Sequence, residues 1–296
     1  MKKAIFLFLS ALCLGGCQPE SSPQKEKTVL VSIAPYAFFV HRIAGDSQPV
    51  TTLIPEGANP HIYEPKPKEV EKVRNASIWI RLGESFDQKV LKVIQEQNPE
   101  VRIVDVTEGI HLLSSCEVDG HSHEHHHCHG NDEGKDIHIW LSPKLAKVQA
   151  ATIANALIDA FPDNKDLYEK NLSHFLAELD LLDAQISTLL APRKGEAILV
   201  SHPAFAYFCQ DYGLVQLSVE MEGKEPLPQQ VTHLLEEARR YKVARVILEP
   251  QYSNKGAELI AKELGVPTAT VDPYAQDYLD NLHSIAEIIA KPSKAE

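Results

Sequence analysis

Between Asp163 and Ala191 the apolar residues Tyr168, Leu172, Phe175, Leu176, Leu179, Leu182, Ile186, Leu189 and Leu190 recur in steps of three and four. That spacing draws one continuous apolar stripe along an α-helix. Pro162 and Pro192 mark its ends, because a helix interior rejects proline. At 1.5 Å per residue such a helix runs on the order of 40 Å, about the breadth of a domain. On either side the pattern changes to short apolar runs alternating with helical periodicity. Before the stripe these are TVLVSI (28–33), a helix over 36–45, PVTTLI (49–54), a helix over 66–76, SIWIRL (77–82), a helix over 86–97 and RIVDV (102–106). A polar stretch follows, then HIWLSP (138–143) and a helix over 144–161. Beyond the stripe come EAILVS (196–201), LVQLSV (214–219), ARVILEP (244–250) and PTATV (267–271), each followed by a helical segment, over 203–212, 228–241, 254–265 and 275–290.

Apolar strands alternating with helices of ten or more residues predict parallel sheets covered on both faces. The fold class expected is therefore α/β: two lobes, each a mostly parallel four-stranded sheet flanked by helices, joined by one long backbone helix. The bounds are 28–161 for the first lobe, 162–192 for the linking helix and 193–296 for the second lobe. The alternative is an ordinary long surface helix within one domain. No residue-by-residue repeat aligns the two lobes.

The first residues, MKKAIFLFLSALCLGGCQPE, pair two lysines with an apolar run that is too short to span a bilayer and suits an export signal. Leu14-Gly15-Gly16-Cys17 resembles a bacterial lipobox, which makes 1–16 a lipoprotein signal peptide and Cys17 the lipidated residue; a plain secretory signal is the alternative. Residues 17–27, polar with two prolines, read as a tether. The protein is then extracytoplasmic and membrane-anchored through its lipid. The chain carries 29 Lys+Arg against 41 Asp+Glu, a formal charge of −12 with no basic cluster, which argues against nucleic acid and for cations.

Ligands of such sheets gather at the carboxyl ends of the strands. His61 in NPHIYEP, His138 opening HIWLSP, His202 in SHPAFAYF and Asp272 in VDPYA are the candidates there. Neutral imidazole nitrogens with one carboxylate oxygen suit tetrahedral Zn²⁺, whereas magnesium, calcium or manganese favours more oxygen donors. Copper and nickel stay open on ligand type alone.

NPHIYEPKP, DIHIWLSP, SHPAFAYFCQDYGL, EGKEPLPQQV, VILEPQYSNKGAELIAKELG and VDPYAQDYLDNL together resemble the zinc/manganese substrate-binding lipoproteins of ABC transporters, the ZnuA/TroA type, over nearly all of residues 28–290. The resemblance implies a metal-ion receptor with its ion in the cleft between two lobes, delivered to an ABC transporter permease, and no enzymatic activity. It carries over His61, His138, His202 and Asp272 as metal ligands. Manganese-type members usually have Glu where this chain has His202, so zinc is expected as the transported ligand, with manganese as the alternative. Asp272 is the position that water or a nearby acid replaces in some zinc members.

The stretch from Ser114 to Lys135 holds six histidines (His121, His123, His125, His126, His127, His129), two cysteines and five acids among polar residues and glycines. It cannot pack a core and reads as an auxiliary metal-collecting loop, or as a tolerated insertion that binds metal only because histidine-rich tracts do. His123 to His127 spells H-E-x-x-H, but that motif needs a helix to put both imidazoles on one face, and a polar tract flanked by Gly120 and Gly130 is not expected to supply one, so it is read as a false match. Cys116 and Cys128 could pair as a disulfide or serve as thiolates, and Cys209 reads as a buried apolar residue. A zinc hydrolase with Glu64 or Glu220 as base, and an additional role as a surface adhesin, are the readings from other classes.

Overall fold

The structure, a computed structural model, describes residues 28–114, 134–220 and 227–291. The signal, the tether with Cys17, Cys116, Cys128 and the six loop histidines lie outside them.

Four parallel strands form the first sheet: β1 (Thr28–Val31), β2 (Val50–Thr52), β3 (Ala76–Arg81) and β4 (Arg102–Asp105), in the order β2-β1-β3-β4. The second sheet has β5 (Ala197–Val200), β6 (Val215–Ser218), β7 (Val246–Leu248) and β8 (Thr268–Thr270), in the order β6-β5-β7-β8 and again all parallel. Counted within each lobe the order is the same, so the two halves repeat in topology although their sequences do not align. The α-helices among the described residues are α1 (Ala34–Ala44), α2 (Pro67–Asn75), α3 (Ser85–Gln97), α4 (Pro143–Ala160), α5 (Lys165–Leu190), α6 (Ala206–Tyr212), α7 (Pro228–Arg240), α8 (Lys255–Leu264) and α9 (Tyr278–Ala290).

The strands are short, but β1, β5 and β7 are almost wholly buried. That is the burial a parallel strand covered on both faces requires, and it explains runs with no polar alternation. HIWLSP departs from the strand-end arrangement expected for its histidine. Ile139–Leu141 form a single 3-10 turn, and Ser142 then caps α4 by accepting from Leu145 N at 3.1 Å, with Pro143 in the first turn. Serine followed by proline is a helix-start signal, and it prevailed over the apolar run.

The 26 residues of α5 join the lobes, and its buried face is the stripe read from sequence: Tyr168, Phe175, Leu179, Leu182, Ile186 and Leu190. This helix is more than a bare strut. It packs on α1 and α4 of the first lobe and on α9 of the second. The Tyr278 ring of α9 sits 4.9 Å from Phe39 of α1, and Phe175 of α5 sits 5.1 Å from that same Phe39. One hydrophobic core thus runs from the first lobe through α5 to the inner face of the second sheet, while a smaller cluster lies under α7 and α8. Such packing resists wide hinge opening. Because Phe175 is fully buried where three helices meet, Phe175→Ala should cost about 3–5 kcal/mol of unfolding free energy, measurable by urea denaturation.

Candidate metal centre

Three loops bring three imidazoles together where the lobes face each other. His61 lies after β2 in a turn whose Asn59 side chain accepts from His61 N at 2.9 Å. Ser85 Oγ, at the start of α3, donates to the His61 carbonyl at 2.8 Å. His138 opens the 3-10 turn, and its own N–H goes to Asp136 Oδ1 at 2.8 Å. The turn is clamped further by Gln149, which donates to Ile139 O at 3.1 Å, and by Trp140 Nε1, which donates to Pro273 O at 2.8 Å across the lobe boundary. His202 follows β5, and its N–H donates to Glu249 Oε1, at the end of β7, at 3.0 Å.

The Nε2 atoms of His61 and His202 stand 3.1 Å apart, and those of His202 and His138 stand 3.4 Å apart. The ligand atoms of all three residues lie within 4.8 Å of one another. Four ligands at 2.0–2.1 Å around a tetrahedral ion would be roughly 3.3 Å apart, so the spacing suits an ion held between them. Each ring also meets a carboxylate on its other side: His61 Nδ1 meets Glu84 Oε2 at 3.0 Å, His138 Nδ1 meets Asp136 Oδ1 at 2.7 Å, and His202 Nδ1 meets Glu220 Oε2 at 3.1 Å. An Nδ1–H donated to a carboxylate leaves Nε2 with its lone pair free, aimed at the shared centre. Three lone pairs converging without a cation repel one another. The arrangement is therefore built for a positive charge.

The carboxylates are themselves held. Glu84 is fully buried, and among the described residues its oxygens have no hydrogen-bond partner other than the His61 ring. It sits at the foot of α3 in a turn that Asp87 Oδ2 fixes by accepting from the N–H groups of Leu82, Gly83 and Glu84 at 3.2, 2.8 and 3.1 Å. Gly83 has φ +98°, a conformation that suits glycine and lets the chain turn Glu84 inward. Burial pulls the His61 pKa down, but the hydrogen bond to Glu84 and the charges of Glu84, Glu220 and Asp136 outweigh it and raise the pKa above its ordinary value. Burial, reinforced by any charge on His138 and His61, drives that of His202 well below. The two shifts run in opposite directions: His202 is disposed to stay neutral, whereas His61 holds a proton more readily than an ordinary imidazole.

Asp272, expected as the fourth ligand, stands outside this group. Its Oδ1 accepts from Gln251 Nε2 at 2.6 Å and from Tyr274 N at 2.8 Å. Glu64, a candidate base, is an exposed partner of Lys89 at 2.6 Å, and Glu220 is occupied behind His202. Sequence reasoning passed over Glu84 and Asp136. The available signals were an acid directly after β3 and an acid two residues before His138. It also passed over Tyr252, whose ring lies flat on that of His202 with centroids 3.9 Å apart and planes 5° apart.

Residues 29–291 match the family model for the periplasmic component A of zinc-uptake complexes, ZnuA. A putative metal-binding protein of Chlamydia trachomatis is 33% identical over 286 residues, covering 96% of this chain and 98% of that protein. The high-affinity zinc uptake system protein ZnuA of Yersinia pestis is 33% identical over 266 residues, 83% of this chain and 82% of that one. In structure, a ZnuA deletion mutant crystallised with zinc bound matches with a TM-score of 0.80 at 37% identity, covering 91% of this chain and 99% of the other. A model spanning almost the whole chain, full-length relatives above 30% identity and the shared two-lobed architecture lead to one conclusion: this chain belongs to the ZnuA/TroA-type family of metal-binding, substrate-binding components of ABC-type uptake systems.

Proposed function

We propose that the chain is a non-catalytic receptor that captures Zn²⁺ between its lobes through His61, His138 and His202 and hands it to an ABC transporter permease. The observation that carries this reading is the convergence of three Nε2 atoms, each ring backed by a carboxylate. Three nitrogen donors favour zinc over manganese, which prefers oxygen. The zinc-uptake names of its relatives point the same way. Catalysis would need a base beside the open coordination position, and Glu220 and Glu64 are both turned to other partners.

Delivery requires an extracytoplasmic position. We assign it to export by residues 1–16 and to a lipid on Cys17, with the histidine-rich stretch collecting zinc at lower affinity. Among the described residues no helix is long and apolar enough to cross a membrane, so in this reading the lipid is the anchor. The test is competitive metal affinity with a chromogenic chelator. One tightly held zinc that excess manganese fails to displace supports the proposal. Preference for manganese would overturn the assignment of zinc.

Zinc binding should also carry a pH signature. The raised pKa of His61 means that below that pKa the metal-free imidazole carries a second proton, which zinc must expel. Apparent zinc affinity should therefore rise with pH, by up to about tenfold per unit below the His61 pKa, and level off above it. Glu84→Gln removes the main influence raising that pKa, so its plateau should begin at lower pH. Calorimetry in buffers of different ionisation enthalpy would count the released proton.

A further inference from the structure

We propose that Asp272 is a latch that keeps Tyr252 flat against His202, and that this contact sets the rate at which the ion leaves the three-histidine cage. The inference rests on the cage as assigned above.

Tyr252 belongs to the turn after β7, and that turn is fastened at both ends. Towards the cage, Glu249 accepts from His202 N at 3.0 Å, and the Tyr252 ring covers one face of the His202 imidazole at 3.9 Å while standing 6.1 Å from the His61 ring. Away from the cage, Gln251 donates to Asp272 Oδ1 at 2.6 Å, and Tyr252 Oη meets Tyr274 Oη at 3.2 Å. Asp272 is fixed in turn: its Oδ1 also accepts from Tyr274 N at 2.8 Å, and its carbonyl accepts from Asn281 Nδ2 of α9 at 2.8 Å. Beyond Tyr274 the aromatic contacts continue to Trp140 at 5.1 Å and from Trp140 to His138 at 5.3 Å. The two loops therefore form one brace across the back of the cage.

The geometry gives this brace a kinetic role. While the Tyr252 ring lies flat on His202 it blocks movement of that imidazole towards its side, and lifting Tyr252 would break the Tyr252–Tyr274 contact and strain the Gln251–Asp272 bond. Among the described residues Gln251 Oε1 is buried without a hydrogen-bond partner, so the closed turn holds an unmet acceptor that opening would hydrate. A contact secured by few bonds and carrying that defect suits a latch better than a permanent strut. Asp272 also lines a small crevice of about 20 Å³ with Pro60 and Ala58 of the His61 loop.

Ligand and latch predict different behaviour for one pair of variants. Asparagine at 272 keeps the Oδ1 acceptor that Gln251 and Tyr274 N use, but it is a poor metal ligand. Full-length protein loaded with one equivalent of zinc should be mixed with excess chelator in a stopped-flow instrument, with the cage phase identified as the one missing in His138→Ala. Asp272→Ala and Tyr252→Ala should release zinc about tenfold or more faster, whereas Asp272→Asn and Tyr252→Phe should restore slow release to within about threefold of the unaltered protein. The visible spectrum of bound Co²⁺ should be unchanged in all four, because the coordinating atoms are the same. Asp272→Asn releasing as fast as Asp272→Ala with an altered cobalt spectrum would make Asp272 a ligand and overturn the latch, as would release rates unchanged in all four. Absence of a cage phase in the unaltered protein would instead refute the cage itself.

Discussion

His138→Ala is expected to weaken zinc binding in the cleft by roughly 100- to 1000-fold, the share of one ligand in the ~10–16 kcal/mol a four-coordinate zinc site supplies. His138 is the most informative of the three positions. It is only 5% exposed, its ring nitrogen and backbone N–H both engage Asp136, and its Nε2 lies 3.4 Å from that of His202. The backbone bond to Asp136 and the Trp140 bond to Pro273 survive the substitution, so the fold should hold, and thermal melting without metal checks this. Deleting residues 119–130 should have the opposite signature, with fewer zinc ions bound and the tight site intact. An unchanged tight site in His138→Ala would mean that the wrong histidines have been credited.

The second large effect is expected from a residue that touches no ion. Asp136→Ala should lower zinc affinity by about 10- to 100-fold, the usual consequence of removing the carboxylate behind a metal-ligating histidine. Asp136→Asn should lose less, since its oxygen still accepts from the ring and the backbone of His138 while the negative charge is gone. Titration against a competing chelator separates the two, and long-range ¹⁵N correlation spectra report the cause. In the unaltered protein the His138 ring should carry its proton on Nδ1, and in Asp136→Ala the two tautomers should mix. Equal affinities for all three proteins would show that Asp136 only supports the turn. Asp136 is well placed to do that as well: its carbonyl accepts from Tyr207 Oη of α6 at 2.7 Å, and its N–H donates to Leu113 O at 2.8 Å.

The architecture was legible because its signals were long or repeated. A stripe of nine apolar residues is hard to read as anything but a helix, and unbroken apolar runs between helical segments leave little besides parallel sheets. His61 and His202 were singled out because each follows a strand, where ligands of such sheets collect, and the structure brings their Nε2 atoms to 3.1 Å. His138 was picked out on the same rule, although it stands at the start of a 3-10 turn rather than at a strand end. The rule also picked out Asp272, whose side chain instead turns back to Tyr274 N two residues on, a local bond that aspartate favours in turns. Position along the chain carries no record of which way such a side chain faces. Glu84 was invisible for a different reason. One acid among 41 gains meaning only when folding sets α3 against the His61 loop and leaves that acid fully buried. The shared core through α5 and α9 was equally hidden, since the Tyr278 contact with Phe39 joins residues from opposite ends of the chain.

Anomalous diffraction at the zinc absorption edge, from crystals of the full chain grown with one equivalent of zinc, would locate the ion in the cleft. One dominant peak is expected about 2.0–2.1 Å from the Nε2 atoms of His61, His138 and His202, with the Asp272 side chain still turned to Gln251 and Tyr274. A cleft without a peak, or an ion held by fewer than all three imidazoles, would contradict the three-histidine site.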